Sequence, residues 1–425
     1  MALSSLAYVV GRYPEPSETF IAREIEALEA RGVKVWVFPL WHKGPRPARH
    51  LADFAHDLFP PRHERPAPSA SAGSSRVQVC ERWPAFQRCD RKREILRWQC
   101  YFLASLFREP RAAARALWYL STTYSIMRRF EALGIERVHA QFGNLPSTVG
   151  WIAASLAKLP FSFAVHARDA FVEPHFLAAK ARAADHIIAC NSAVAARVGE
   201  LAKPPDRAKI ERVPHGLPLE RYPFRAEPAG GDPLILGVGR LVEKKGFLDL
   251  VRAVARLRER GERVACWLIG DGPEREALRR GIGELGLEGA VVLKGWMPHG
   301  EVMAAYERAA ALVAPSIVAR DGDRDGLPNV VVEAAAKGLP IVATNVGGLG
   351  DLVRDGETGL VAQPGNAEDL AERIHAVLKD AAGARTRAKR AREEVEARFD
   401  QAQCVARLLA LLSSAPHPPS PPGRG

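Results

Sequence analysis

The chain has 425 residues, more than one hydrophobic core keeps absorbing, so two domains are expected. Its 47% hydrophobic content fits a soluble globular protein, its longest apolar runs are too short for a membrane span, and its start lacks a signal-peptide pattern, so a cytoplasmic protein is expected. The net charge of +11 sits almost wholly in residues 43–129, where 17 Lys/Arg face 7 Asp/Glu; with no nucleic-acid-binding motif beside it, no nucleic-acid partner is expected, which leaves a solvated face or an anionic membrane surface.

In chain order, residues 6–10 read as a strand, 20–30 as a helix and 33–39 as a strand. Residues 60–75, rich in Pro, Ser and Ala, read as disorder or a mobile loop. An apolar stripe of Ile95, Leu96, Trp98, Tyr101, Phe102 and Leu106, flanked by Arg, predicts an amphipathic helix over 93–107. It either packs on its own domain or lies on a membrane, peripherally on the inner face. Strand 137–141, helix 148–157, strands 161–166 and 186–189, and helix 191–200 complete one Rossmann-like half.

Residues 214–233 are rich in Pro and Gly, which suits a hinge. Strand and helix then alternate: strands at 234–238, 264–269, 291–293, 311–314 and 340–343, helices at 247–260, 274–285, 301–310 and 329–337, and a short one near 350–353. Such alternation means βαβ units on a parallel sheet. The fold class is therefore α/β, two Rossmann-like doubly wound domains. The first spans 1–218 and carries the basic insert, the second spans 219–385, a C-terminal helix at 386–412 returns to the first domain, and 413–425 is a loose tail. The six cysteines, none in a Cys-x-x-Cys pair, read as free thiols rather than a disulfide framework.

Chemistry concentrates where strands end. The segment Asp325-Gly326-Leu327-Pro328-Asn-Val-Val-Val-Glu333 sets two carboxylates eight positions apart. Pro328 opens a helix whose unpaired N–H groups and dipole suit phosphate, and Glu333 sits on an otherwise apolar face, where a carboxylate needs a partner or a ligand. After strand 234–238, Gly239 permits a tight turn, and Arg240 and Lys245 are placed to close on a diphosphate from two sides. Gly270 and Gly272 allow close backbone approach to a base or ribose, or make a plain turn. His166 ends a strand with Asp169 three residues on. The loops bearing Gln141 and Phe142, and Ser17, Glu18 and Thr19, end two further strands and suit an acceptor.

Two patterns are discounted. Gly281-Ile-Gly283-Glu-Leu-Gly286 matches a dinucleotide fingerprint but follows a helix, so it reads as a helix end and turn. Asp321, Asp323 and Asp325 alternate with cations and lack a completing ligand, so no metal site is expected.

Taken together, these motifs resemble the family 4 retaining glycosyltransferases, which have the two-domain GT-B fold facing across a cleft. The resemblance runs to about Leu412 and is strongest over 234–361. Ser17-Glu-Thr-Phe-Ile, His139-Ala-Gln-Phe-Gly and Gly322-Asp-Arg-Asp-Gly-Leu-Pro-Asn329 are similar to exopolysaccharide enzymes such as the colanic acid transferases. It implies that Gly239, Arg240 and Lys245 hold a donor diphosphate, that Asp325 holds donor-sugar hydroxyls and Glu333 the ribose, and that Gly326 and Leu327 lie near the phosphates. The family's first acid is usually Glu, one methylene longer than Asp325, and Asp351 stands where Glu is common. The implied function is hexosyl transfer from a nucleotide-diphosphate sugar to a saccharide or lipid-linked saccharide, with no cofactor and no metal, His166 positioning the sugar or assisting the proton and Asp169 lining the acceptor side. Alternatives are a non-catalytic sugar-nucleotide-binding protein of the same fold and an inverting relative.

Overall fold

Short apolar runs, most of them buried on both faces, build two parallel sheets with helices on their faces. The computed structural model describes residues 3–13, 15, 18–41, 76–77, 90–225 and 233–415. The first sheet comprises β1 (Ser5–Val10), β2 (Lys34–Pro39), β3 (Arg76–Val77), β4 (Arg137–Ala140), β5 (Phe161–Val165), β6 (His186–Ala189) and β7 (Ile210–Arg212), in the order β3-β2-β1-β4-β5-β6-β7. The second comprises β8 (Leu234–Val238), β9 (Ala265–Ile269), β10 (Val291–Gly295), β11 (Ala311–Ala314), β12 (Ile341–Thr344) and β13 (Leu360–Ala362), in the order β10-β9-β8-β11-β12-β13. In both, the chain starts at an inner strand, winds outward one way, then returns and winds the other way, as in doubly wound folds. The chain divides within β5 into two compact units, Met1–Ser162 and Phe163–Gly425.

The pleat explains the second sheet's two cores. Leu234, Leu236 and Val238 share one with Leu312, Ile341 and Ala343, covered by the helices His299–Arg308 and Asn329–Ala336. Ile235, Ala311, Val313 and Val342 share the other, under Phe247–Glu259 and Ala367–Lys379.

Several helices depart from the sequence reading, and Ala167–Phe171, Leu177–Ala183 and Ala367–Lys379 are among those it did not contain. Pro110–Leu133 was not expected, because its buried side includes Thr122, Thr123 and Ser125 among small and aromatic residues, which blurs the apolar stripe. Ala381–Arg398 buries only Ala384, Ala388, Ala391 and Val395 beneath charged residues, so its stripe is narrow. The single helix expected over 386–412 is two, because Asp400 starts Gln401–Ser413 by accepting the Gln403 N–H at 2.9 Å. That last helix lies beside the end of the first sheet: Arg407 is 3.1 Å from Glu211, and the His186 ring is 2.7 Å from the Ser414 hydroxyl.

The amphipathic helix forms as Lys92–Ser105. Ile95 and Phe102 are buried, and Trp98 meets Trp151 edge-on at 4.7 Å, yet Leu103 is 53% exposed and Phe107 95%. Much of the basic block, the Pro/Ser/Ala-rich stretch, part of the hinge and most of the tail lie outside the described residues. Cys100, Cys190, Cys266 and Cys404 are thiols in no disulfide, whereas Cys80 and Cys89 lie outside the described residues. No helix among the described residues is long and apolar enough to cross a membrane.

Candidate active site

The loops after β8, β11 and β12 converge. After Gly239, exposed Arg240 leads into a turn of 3-10 helix, Glu243–Lys245, and then into Phe247–Glu259. Gly270 has φ +138, and a Cβ there would stand 1.9 Å from the Gly239 carbonyl oxygen, while one on Gly272 would stand 2.3 Å from that of Leu241. Both glycines therefore serve the packing of their loop on the 239–241 loop. Gly347, at φ +61, admits the Asp325 carbonyl: a Cβ would lie 1.8 Å from its oxygen.

Lys245 reaches Asp325. Its Nζ is 2.9 Å from Asp325 Oδ2, and the two side chains are 14% and 7% exposed. Ser316 donates its hydroxyl to the same oxygen at 2.6 Å. Lys244 Nζ lies 3.1 Å from Asp323 and 3.9 Å from Asp325, and Arg168 approaches Asp323 at 3.4 Å and Asp321 at 3.5 Å. The N–H of Asp323 and the Arg168 guanidinium together hold the Asp321 carboxyl below its ordinary range. The three acids are thus met by cations of other loops, while Arg320 pairs with Glu243 and Arg324 lies over the Phe171 ring. A small recess here is lined by Val238, Lys245, Ser316, Pro328 and Val330.

Pro328 takes the N-cap position of Asn329–Ala336 and places the helix N-terminus beside Gly326 and Leu327. Gly326 faces Asn191, whose Nδ2 would be 2.8 Å from an added Cβ, and partly buried Leu327 packs on the second sheet's core. Glu333 is buried and finds protein partners: Tyr222 donates its hydroxyl at 3.4 Å, and His299 Nε2 lies 3.7 Å away. Burial, then the Glu333 and Tyr222 charges, push the Tyr306 phenol well above its ordinary range.

His166 precedes the short helix Ala167–Phe171, and its N–H donates to Asp169 Oδ2 at 3.0 Å. Asp169, expected on an acceptor-lining wall, is 1% exposed and stands at the root of the His166 turn. Asp351 accepts from the Ser192 N–H at 2.8 Å and from the Ser192 hydroxyl, at the start of Ser192–Leu201.

In the first unit, Thr19 begins the helix Thr19–Glu29 with Glu18 as its N-cap, and Ser17 lies outside the described residues. Gln141 donates to Glu24 at 2.8 Å, and Tyr8 donates to the same carboxylate. Burial and then Glu24 drive the Tyr8 phenol well above its ordinary range. Phe142 has φ +77, a conformation a bulky side chain adopts only when its surroundings impose it. Lys244, Arg168, Ser316, Asn191 and His215 were not singled out in the sequence, and Asp323 only within the discounted metal pattern; Lys244 is adjacent to a residue that was, and His215 follows a strand end.

Residues 220–395 match the model of the family Glycosyl transferases group 1. Over 279 residues, 65% of the chain, the protein is 32% identical to a glycogen synthase of Mycobacterium tuberculosis and covers 62% of that relative's length. Over 422 residues it is 27% identical to a protein of Salmonella typhimurium named as a colanic acid biosynthesis glycosyltransferase, covering 96% of this chain and 98% of that one. The crystal structure of Anabaena HepE in complex with UDP superposes with a TM-score of 0.66 at 18% identity, over 97% of this chain and all of the other. In sequence over residues 220–395 the chain is similar to the Glycosyl transferases group 1 family, and in fold over nearly its whole length it is similar to HepE.

Proposed function

We propose that the protein is a retaining glycosyltransferase of family 4. It moves a hexosyl group from a nucleotide-diphosphate sugar to a saccharide or lipid-linked saccharide in surface polysaccharide synthesis. The observation that carries this reading is the Lys245–Asp325 pair, which joins the cationic loop after β8 to the acid before the Asn329 helix in one buried cluster. The similarity to a colanic acid enzyme and the UDP bound by HepE support the substrate classes. The division at 218/219 belongs to this reading, with one sheet on each side of it.

In the proposed chemistry, charge develops on the leaving diphosphate as the glycosidic bond breaks. Arg240, Lys245 and the N–H groups at the Asn329 helix start stabilise it, backed by Gly239, Gly326 and Leu327. A donor phosphate draws Lys245 away from Asp325, and that carboxylate is then available to sugar hydroxyls. Glu333, held by Tyr222 and His299, takes the ribose hydroxyls. His166, fixed by Asp169, orients the transferred sugar. The acceptor hydroxyl attacks from the leaving group's face and passes its proton to the departing phosphate oxygen. No metal is required in this scheme. Glu18, Thr19, Gln141 and Phe142 are assigned to the acceptor. The exposed Leu103, and Phe107 just past the end of its helix, are assigned with Arg93 and Arg97 of that helix to an anionic membrane surface carrying a lipid-linked acceptor.

The test is a calorimetric and thermal-shift screen of sugar nucleotides, followed by analysis of the product anomer. A ligand that binds only the folded chain raises its thermal midpoint. Donor binding with transfer and a retained anomer supports the reading. Binding with neither transfer nor donor hydrolysis favours a non-catalytic binder, and an inverted product replaces the mechanism.

A further inference from the structure

Outside the Lys245–Asp325 cluster, a different set of side chains converges at the carboxyl ends of three successive strands. His166 follows β5, Cys190 follows β6 and His215 lies beyond β7. One ligand atom from each lies within 4.8 Å of the others. The two imidazoles stack, with ring centroids 5.1 Å apart and planes 13° apart, and their Nε2 atoms are 3.2 Å apart.

Two features make this more than a chance meeting. The first is spacing: at a Zn–N length of about 2.0–2.1 Å, tetrahedral geometry puts two ligating nitrogens about 3.3 Å apart, close to the separation seen here. The second is the outer support. Asp169 Oδ2 accepts the His166 backbone N–H at 3.0 Å and stands 3.6 Å from the ring's Nδ1, so the carboxylate fixes the His166 turn while Nε2 faces His215. Asn191 donates its amide to Cys190 Sγ at 3.3 Å and orients the sulfur.

We propose that His166, Cys190 and His215 form a three-ligand site for a divalent transition cation, with Zn2+ the best match to two imidazoles and a thiolate. Three protein ligands leave a fourth position for water or substrate oxygen. Binding exchanges the Cys190 S–H bond for a metal–sulfur bond and releases that proton to solvent. The ion is no part of the transfer scheme. It occupies His166, so Zn2+ inhibits transfer reversibly; that consequence, unlike the binding itself, rests on the proposed function.

The test uses Co2+ as a spectroscopic stand-in, added to the full chain after treatment with a chelator. The expected result is a thiolate-to-cobalt charge-transfer band that saturates at one equivalent, is displaced by Zn2+, and disappears in Cys190→Ser. His215→Gln weakens binding by at least about tenfold. Thermal melts report whether each variant is folded; if Cys190→Ser does not fold, His215→Gln decides alone. The absence of a band in the natural chain, a band that persists in Cys190→Ser, or unchanged affinity in His215→Gln overturns the site. None of these readouts depends on a donor or on turnover, so failure of the metal site and failure of the transferase reading are separable.

Discussion

Lys245 and Asp325 are 80 residues apart in the chain, yet their charged atoms lie 2.9 Å apart with both side chains largely withdrawn from water. The two charges neutralise each other. Under the proposed function, which assigns the cation to phosphate and the acid to the sugar, donor binding would be an exchange of partners, with no step that buries a new unpaired charge.

Lys245→Ala is expected to cut turnover at least about a hundredfold, because the diphosphate loses a buried cation. It also leaves the Asp325 carboxylate without its principal partner, a loss of about 3–5 kcal/mol where such a pair is buried. Steady-state kinetics and thermal melts read the two effects separately. Near-natural kinetics in the folded variant would remove Lys245 from the phosphate site.

Glu333→Ala is expected to abolish the donor-dependent rise in thermal midpoint while leaving a folded chain, because the ribose hydroxyls lose their acceptor. Tyr222→Phe, which removes only the hydroxyl donated to Glu333, is expected to weaken donor binding by a few-fold. An unchanged shift in Glu333→Ala would move the nucleoside elsewhere.

Gly347→Ala forces a Cβ toward the Asp325 carbonyl from a backbone at φ +61. The expected loss is about 1–3 kcal/mol, read as a lower thermal midpoint and poorer donor affinity together. A variant as stable as the natural chain would mean that the loop yields freely.

Cys190 and Cys266 have thiols pushed up to about 12, both chiefly by burial. A raised thiol pKa keeps the sulfur protonated, and the thiolate is the reactive form, so both are expected to resist alkylation at pH 8 while exposed Cys100 reacts. Peptide mapping after iodoacetamide treatment checks this, and early labelling of Cys190 would contradict it.

Leu103→Ser combined with Phe107→Ser is expected to reduce binding to vesicles containing anionic lipid several-fold without lowering stability, since both side chains face solvent. Equal sedimentation of the natural and substituted chains would assign that face to another use.

Much of the architecture was legible in the residues because local rules govern it. Apolar runs alternating with amphipathic helices specify a doubly wound sheet whatever lies around them, and 234–238 and 186–189 emerge with the expected bounds. Pro328 marks a helix start by its own covalent geometry. Helices Pro110–Leu133 and Ala381–Arg398 were hidden because small and polar residues fill their buried sides, and these carry little hydrophobic signal.

At the site, the sequence alone could nominate residues by type and position at strand ends, and it singled out Lys245, Asp325, Glu333 and His166 in that way. Only the tertiary structure decided their partners. That Lys245 meets Asp325, that Gly270 makes room for the Gly239 carbonyl, and that Cys190 and His215 reach His166 are all contacts between segments remote in sequence. Such contacts depend on how parallel strands line up side by side, a spacing set by hydrogen bonds between strands that no local pattern of residues contains.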